Sequence, residues 1–174
     1  MGFGASLSLQ RAVAAEVPYL RRFARALTGD ATSADDLVQD CVERALTRLH
    51  LFDEDRALRT WLFTILRNLY VNELRQKKRR GPHINTEDVS ESELSRSPEQ
   101  LNRLAVIDVA RALDELPDEQ REVLILISVD EMSYKEIADV IGSPIGTVMS
   151  RLSRARNRLK VLMDGEAPNL RRVK

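Results

Sequence analysis

The stretch MSYKEIADVIGSPIGTVMSRLSRARNRL, residues 132–159, decides the fold of the second half of the chain. Ser133 and Glu136 have the spacing of a capping box, which predicts the start of a short helix. Gly142 ends this helix, and the Ser-Pro pair that follows starts another, since serine is a favoured N-cap and proline is tolerated at the first helical position. Two helices joined by a tight glycine turn form the arrangement of a DNA-reading helix-turn-helix.

The second helix of this motif has one apolar and one polar face. Its apolar residues recur at Val148, Leu152, Ala155 and Leu159, which predicts the buried side. Residues 143–160 contain five basic residues and no acidic one, so the helix can approach a phosphate backbone without repulsion. Early polar residues would face base edges and later arginines phosphates, which makes the candidates Thr147, Ser150, Arg151, Arg154 and Arg158. The alternative is an ordinary helical hairpin with a charged outer side.

Residues 81–100, GPHINTEDVSESELSRSPEQ, separate this half from the first. They contain five acidic residues and one basic residue among Pro, Gly and Ser. Such a composition cannot bury a core, which predicts a flexible acidic linker. We therefore expect two small helical domains, residues 9–80 with three or four helices and residues 101–165 with four.

The composition agrees with an all-α fold. Of the 174 residues 43% are hydrophobic and only 5% aromatic, which suits charged helical modules better than a β-sandwich. The 27 basic and 27 acidic residues cancel, so the distribution of charge matters more than its sum. A single cysteine, Cys41, excludes an internal disulfide. No signal peptide and no apolar run of roughly 20 residues is present, which predicts a soluble cytoplasmic protein.

The first domain contains a helix that we expect to begin at Ser33, with Asp36 three residues later as a weak capping box. Its apolar stripe includes Cys41, which predicts a buried small side chain rather than a reactive thiol. The stripe comprises Leu37, Val38, Cys41, Val42, Ala45, Leu46 and Leu49. The opposite side is an acidic face, either plain solvated surface or a binding surface, formed by Asp36, Gln39, Asp40 and Glu43.

A further helix is predicted from about residue 60 to residue 80. Its core side consists of Leu62, Ile65, Leu66 and Leu69. Another side carries an aromatic ring, two amides and a basic side chain. Such side chains can stack on unpaired nucleobases and form hydrogen bonds with them. The residues on this side are Trp61, Thr64, Asn68, Asn72 and Arg75. Residues 75–80, RQKKRR, bring five positive charges, which favour a phosphate clamp over a merely solvated helix end.

No pattern of enzyme chemistry accompanies these helices. The sequence has no nucleotide-binding loop, no cluster of metal ligands and no nucleophile beside a base, and both His50 and His83 are isolated. We therefore expect no catalytic residues, no metal and no cofactor, and a protein that is not an enzyme.

Nearly the whole chain resembles the extracytoplasmic-function (ECF) sigma factors of the bacterial sigma-seventy family. Residues 26–46, ALTGDATSADDLVQDCVERAL, and 59–80, RTWLFTILRNLYVNELRQKKRR, are similar to the family's region two. LPDEQREVLIL and residues 132–159 are similar to its region four. The order and spacing of these segments make the resemblance specific. It implies a two-domain subunit that binds core RNA polymerase, selects promoters and helps to melt them.

The resemblance also implies roles for the predicted faces. The acidic face would bind the clamp helices of the largest polymerase subunit, and the loop of residues 52–58 would hold a flipped base. The minus-ten promoter element would contact Trp61, Arg67, Asn68, Asn72, Arg75, Lys77 and Lys78. The minus-thirty-five element would contact the outer face of the helix-turn-helix. A cognate anti-sigma factor would cover both domains.

One residue departs from the family pattern. Many members have arginine where Met149 stands, which predicts an altered readout of DNA at this position. Two other functions stay open on the residues alone: a stand-alone helix-turn-helix regulator that binds duplex half-sites as a dimer, and a helical adaptor that never touches DNA.

Overall fold

The computed structural model describes residues 3–53, 55–80, 109–129 and 132–164, and every regular element in these ranges is helical. The first domain consists of α1 (Phe3–Thr28), α2 (Ala31–Thr47) and α3 (Leu58–Arg80), with a short 3-10 turn at Leu49–Leu51. The predicted all-α fold is confirmed. The predicted linker, residues 81–100, lies outside the described residues.

The second domain begins with helical residues 109–114. Three helices follow: α4 (Asp118–Val129), α5 (Tyr134–Ile141) and α6 (Ile145–Asp164). Helix α4 packs against α6, and α5 packs against both. This small bundle holds the helix-turn-helix formed by α5 and α6.

Helix α2 begins earlier than the sequence suggested. Gly29 has a φ of 71°, a left-handed conformation that ends α1 and favours glycine. Asp30 then caps α2, because its carboxylate accepts a hydrogen bond from the Ser33 N–H at 2.7 Å, and this bond lowers the pKa of Asp30. The predicted start at Ser33 is therefore wrong: an aspartate directly after the glycine turn takes the capping position.

The core of the first domain is built around two aromatic rings. Phe23 of α1 and Phe63 of α3 stack with ring centroids 5.0 Å apart. Cys41 is fully buried, and its thiol donates a hydrogen bond to the carbonyl of Leu62 at 3.5 Å. The predicted burial of Cys41 is confirmed, and burial raises its pKa to about 12. Leu46 is 41% exposed, so the predicted apolar stripe is wrong at that residue.

The helix-turn-helix forms as its local signals predict. The Ser133 N–H donates to the Glu136 carboxylate at 2.8 Å, and the Glu136 N–H donates back to the Ser133 hydroxyl at 3.3 Å. The Ser133 hydroxyl also donates to this carboxylate at 2.6 Å, and this bond, together with that from the Ser133 N–H, lowers the pKa of Glu136. Gly142 is left-handed, with a φ of 63°, and ends α5. The predicted buried side of α6 is confirmed: Val148, Leu152 and Ala155 are buried and Leu159 is half-buried.

The two domains pack against each other. Helix α1 contacts α4, and α3 contacts α5. The second domain therefore lies along the helix whose residues are predicted to contact the minus-ten element.

Candidate functional site

The acidic face of α2 is open. All four of its members, Asp36, Gln39, Asp40 and Glu43, are exposed, while Leu37, Val38 and Cys41 on the opposite side are buried in the core. Helix α2 thus supports three carboxylates on its solvent side without using them for folding. Such a face can bind a basic surface of a partner.

Helix α3 presents its amides to solvent. Asn68 and Asn72 are exposed, as are Arg75 and Lys77 one to two turns later. The side chain of Lys78 lies outside what the structure describes. Thr64 is half-buried, and its hydroxyl donates to the Thr60 carbonyl at 2.8 Å. The predicted face is therefore fully available only in its C-terminal half.

Trp61 is part of an aromatic pair at the start of α3. Its ring lies 5.1 Å from that of Phe52, tilted by 50°, and both residues are half-buried. The structure therefore connects Trp61 to the loop of residues 52–58, the loop predicted to hold a flipped base.

Arg67 is held by the second domain. Its Nε donates to a carboxylate oxygen of Glu122 at 2.7 Å, and a second guanidinium nitrogen lies 3.4 Å from the other oxygen. Glu122 is the one buried charged residue among those described. A predicted DNA contact is thus occupied by an acid of helix α4.

A second hydrogen bond joins the domains nearby. Arg121 donates to the Ala26 carbonyl at 3.1 Å and also pairs with Asp114 at 2.9 Å. The Arg121 Nε and the Gln120 Oε1 are buried, and neither has a hydrogen-bond partner within the described ranges.

The predicted contacts of α6 divide into two groups. Arg154 and Arg158 are exposed, whereas Thr147, Ser150 and Arg151 are half-buried. Arg151 pairs with Glu119 of α4 at 2.8 Å. The Ser150 hydroxyl donates to the Thr147 carbonyl at 3.0 Å, so its proton is used within the helix. Three large apolar residues of α6 are exposed as well: Ile145, Met149 and Met163.

Sequence reasoning missed the two acids of α4 that hold predicted DNA contacts, Glu119 and Glu122. A signal for Glu122 exists, since it is the sole acid inside the apolar run of residues 121–127. An acid in such a run is buried only with a partner. The sequence around Glu122 does not indicate which arginine pairs with it.

The described residues contain neither a candidate metal centre nor a candidate membrane-spanning helix. No group of three or more His, Cys, Asp or Glu side chains is arranged to hold a metal ion within the ranges given above. In the same part of the chain, no helix combines the length and apolar character needed to cross a membrane.

The two domains each match a known family. Residues 13–67 match the Sigma2 domain of PhyR, and residues 107–159 match Sigma-70, region 4. The fold is thus that of a two-domain sigma-70-type protein whose second domain contains a helix-turn-helix.

The chain is similar to relatives and to solved structures of one family. The chain is 41% identical over 157 residues to the ECF RNA polymerase sigma factor EcfG of Rhodopseudomonas palustris, covering 90% of this chain and 85% of that protein. The sigma factor RpoE, solved with the anti-sigma factor NepR from Bartonella quintana, matches at a TM-score of 0.74 and 35% identity over 92% of this chain and 99% of that one.

CnrH, solved with the cytosolic domain of CnrY, matches at a TM-score of 0.68 and 31% identity, over 90% of this chain and 88% of that one. The chain belongs to the ECF RNA polymerase sigma factors. Its function is that of a sigma factor, which binds core RNA polymerase and directs it to promoter DNA.

Proposed function

We propose that three surfaces of this sigma factor divide its work: the acidic face of α2 binds polymerase, α3 binds the minus-ten element, and α6 reads the minus-thirty-five element. The observation that supports this division best is the separation of charge. The acidic face is exposed on α2, whereas the exposed basic side chains lie on α3 and α6. They are Arg75, Lys77, Arg154 and Arg158. Opposite charges on separate helices suit a protein with a protein partner and a nucleic-acid partner.

At the minus-ten element, α3 would stabilise the melted strand. Asn68 and Asn72 offer amide groups to base edges, and Arg75 with Lys77 offers charge to the backbone. Stacking of an unpaired base on the Trp61 ring would be worth about 1–3 kcal/mol, which is enough to shift a duplex-opening equilibrium. No step of this process requires chemistry by the chain, so we propose that it is not an enzyme.

At the minus-thirty-five element, the N-terminal turns of α6 would enter the major groove. Arg154 and Arg158 follow on the same helix, where they would contact phosphates and position it. Arg151 would become available only by leaving Glu119.

Engagement of Arg67 with DNA would require the two domains to separate. Glu122 holds the guanidinium at 2.7 Å, so phosphate and carboxylate compete for the same donors. Core polymerase would favour the separated form by binding its surfaces.

Because RNA polymerase and the chromosome share the cytoplasm, we propose that the protein is located there.

An anti-sigma factor is the remaining partner in the proposal. RpoE and CnrH were solved with NepR and with the cytosolic domain of CnrY, respectively. We propose that this chain is likewise held by an anti-sigma factor that covers both domains. Such a partner would stabilise the closed packing of α1 on α4.

Run-off transcription with purified core polymerase tests the division of surfaces. The native chain should give promoter-specific transcripts that core polymerase alone does not give. Asp40→Arg reverses one charge on the acidic face and should reduce transcription at least tenfold by weakening polymerase binding. Glu115→Arg reverses a negative charge at an exposed residue away from this face. It serves as the control and should leave transcription unchanged.

Each result has one meaning. Equal activity of Asp40→Arg and Glu115→Arg would remove the acidic face from the proposal. Absence of promoter-specific transcripts with the native chain, combined with tight binding of duplex by the chain alone, would indicate a stand-alone regulator instead.

A further inference from the structure

Helix α6 carries an exposed apolar pair, Ile145 and Met149, which are 44% and 51% exposed. The two residues are four apart and therefore neighbours on one side of the helix. They occupy its first two turns, directly after the glycine turn of the helix-turn-helix. Two large apolar side chains are thus exposed at the position where such a motif meets DNA.

The residues expected to read bases are less available than this pair. Ser150 uses its hydroxyl proton within the helix, and Arg151 is paired with Glu119. At about 100° per residue, Met149 lies about 160° around the helix from Arg151. The open side of the first two turns therefore differs from the side that the hydrophobic period indicated.

The surroundings of the pair favour DNA over an apolar protein groove. Arg156 and Lys160 are exposed on the same side of the helix, each within about 20° of Met149, and residues 143–160 contain no acid. Gly146 is also exposed, and its missing side chain allows close approach of the backbone to a ligand. In the major groove, the 5-methyl group of thymine is the apolar group that base pairs present.

We propose that Ile145 and Met149 contact thymine 5-methyl groups in the minus-thirty-five element and so make thymine a requirement of this chain's promoters. This inference rests on the proposed role of α6 as the reader of that element. Base selection then comes from methyl contact, while the cations on the same side of the helix, Arg156 and Lys160, supply a sequence-independent part of the affinity.

The test begins with holoenzyme reconstituted from core polymerase and the native chain. Promoters are selected from a duplex library with a randomised block, and each thymine of the selected minus-thirty-five element is then replaced in turn by deoxyuridine. This replacement deletes only the methyl group. At one or two thymines we expect promoter-complex formation to fall about fourfold, the effect of one buried methyl.

Variants identify the residue responsible. Holoenzyme with Met149→Ala should bind the thymine and deoxyuridine promoters equally at one of these positions. Ser153→Ala changes an exposed residue one turn later and should keep the native sensitivity. Both variants alter solvent-exposed side chains, so circular dichroism should show unchanged thermal unfolding.

The outcomes separate this inference from the proposed function. Native holoenzyme that binds both DNAs equally, a selected element without thymine, or undiminished sensitivity of Met149→Ala would each overturn the methyl contact. Loss of anti-sigma binding by Met149→Ala with normal thymine sensitivity would also overturn it, and would assign the pair to a protein partner. Selection of no promoter by the holoenzyme would instead reject the proposed function.

Discussion

Two arginines of α3 form ion pairs of the same geometry with different consequences. The Arg59 Nε lies 2.7 Å from Glu16 of α1, and the Arg67 Nε lies 2.7 Å from Glu122 of α4. In both pairs a second guanidinium nitrogen lies 3.4 Å from the other carboxylate oxygen. The first pair lies within the first domain, whereas the second joins the two domains.

The neighbours of each pair explain the difference. The guanidinium of Arg59 also lies 3.8 Å from the centre of the Tyr19 ring, and the pKa of Arg59 is raised by its hydrogen bond to Glu16. That arrangement can persist while the protein works. Arg67 belongs to the predicted DNA surface, and its bond to Glu122 joins that surface to the second domain. The same ion-pair chemistry therefore stabilises one domain at Arg59 and, under the proposed function, competes with DNA binding at Arg67.

The largest expected effect comes from breaking the pair within the domain. Arg59→Ala removes the ion pair and the ring contact, and should lower the free energy of unfolding by about 2 kcal/mol. Urea denaturation followed by circular dichroism measures this change. Arg11→Ala, at an exposed position of α1, is the control and should change stability by less than about 0.5 kcal/mol. Equal midpoints for both variants would contradict a structural role of Arg59.

Breaking the pair between the domains should change shape rather than folding. Glu122→Gln removes the charge that holds Arg67 and should shift the balance toward separated domains roughly tenfold. Small-angle X-ray scattering should then show a larger radius of gyration. Glu16→Gln is the matched control, because it breaks a pair of the same geometry inside one domain. A radius that grows equally in both variants would indicate general loosening.

The smallest expected effect concerns Cys41. Its pKa is raised to about 12 by burial, so the thiol stays protonated between about pH 7 and 9, where an exposed thiol ionises. Alkylation of Cys41 should therefore be slow over this range and should stay slow in Glu122→Gln. Arg59→Ala should accelerate it, since the first domain opens more often. Fast alkylation in Glu122→Gln would mean that domain separation also unfolds the first domain.

Much of the fold was predictable because its signals are local. The capping box of Ser133 and Glu136 and the left-handed turn at Gly142 lie within a few residues, and the buried stripe of α6 recurs with the helical period. Where two local signals compete, prediction failed: Ser33 and Asp30 are both good caps, and the turn at Gly29 favours Asp30.

The site was less predictable because its decisive contacts span long distances in sequence. Arg67 and Glu122 are 55 residues apart, and neither position marks the other. Arg151 meets Glu119 across the second domain in the same way. The helical period placed the exposed basic residues Arg154 and Arg158 on the outer face, but it did not show that Arg151 is paired with an acid.

Promoter-complex formation by four holoenzymes gives the most direct test that Arg67 exchanges Glu122 for DNA. They carry the native chain, Glu122→Gln, Arg67→Gln and the double variant, which together form a double-mutant cycle. We predict that Glu122→Gln increases complex formation several-fold when Arg67 is present and has no effect in the Arg67→Gln background. An equal effect of Glu122→Gln in both backgrounds, or no increase in either, would contradict the exchange.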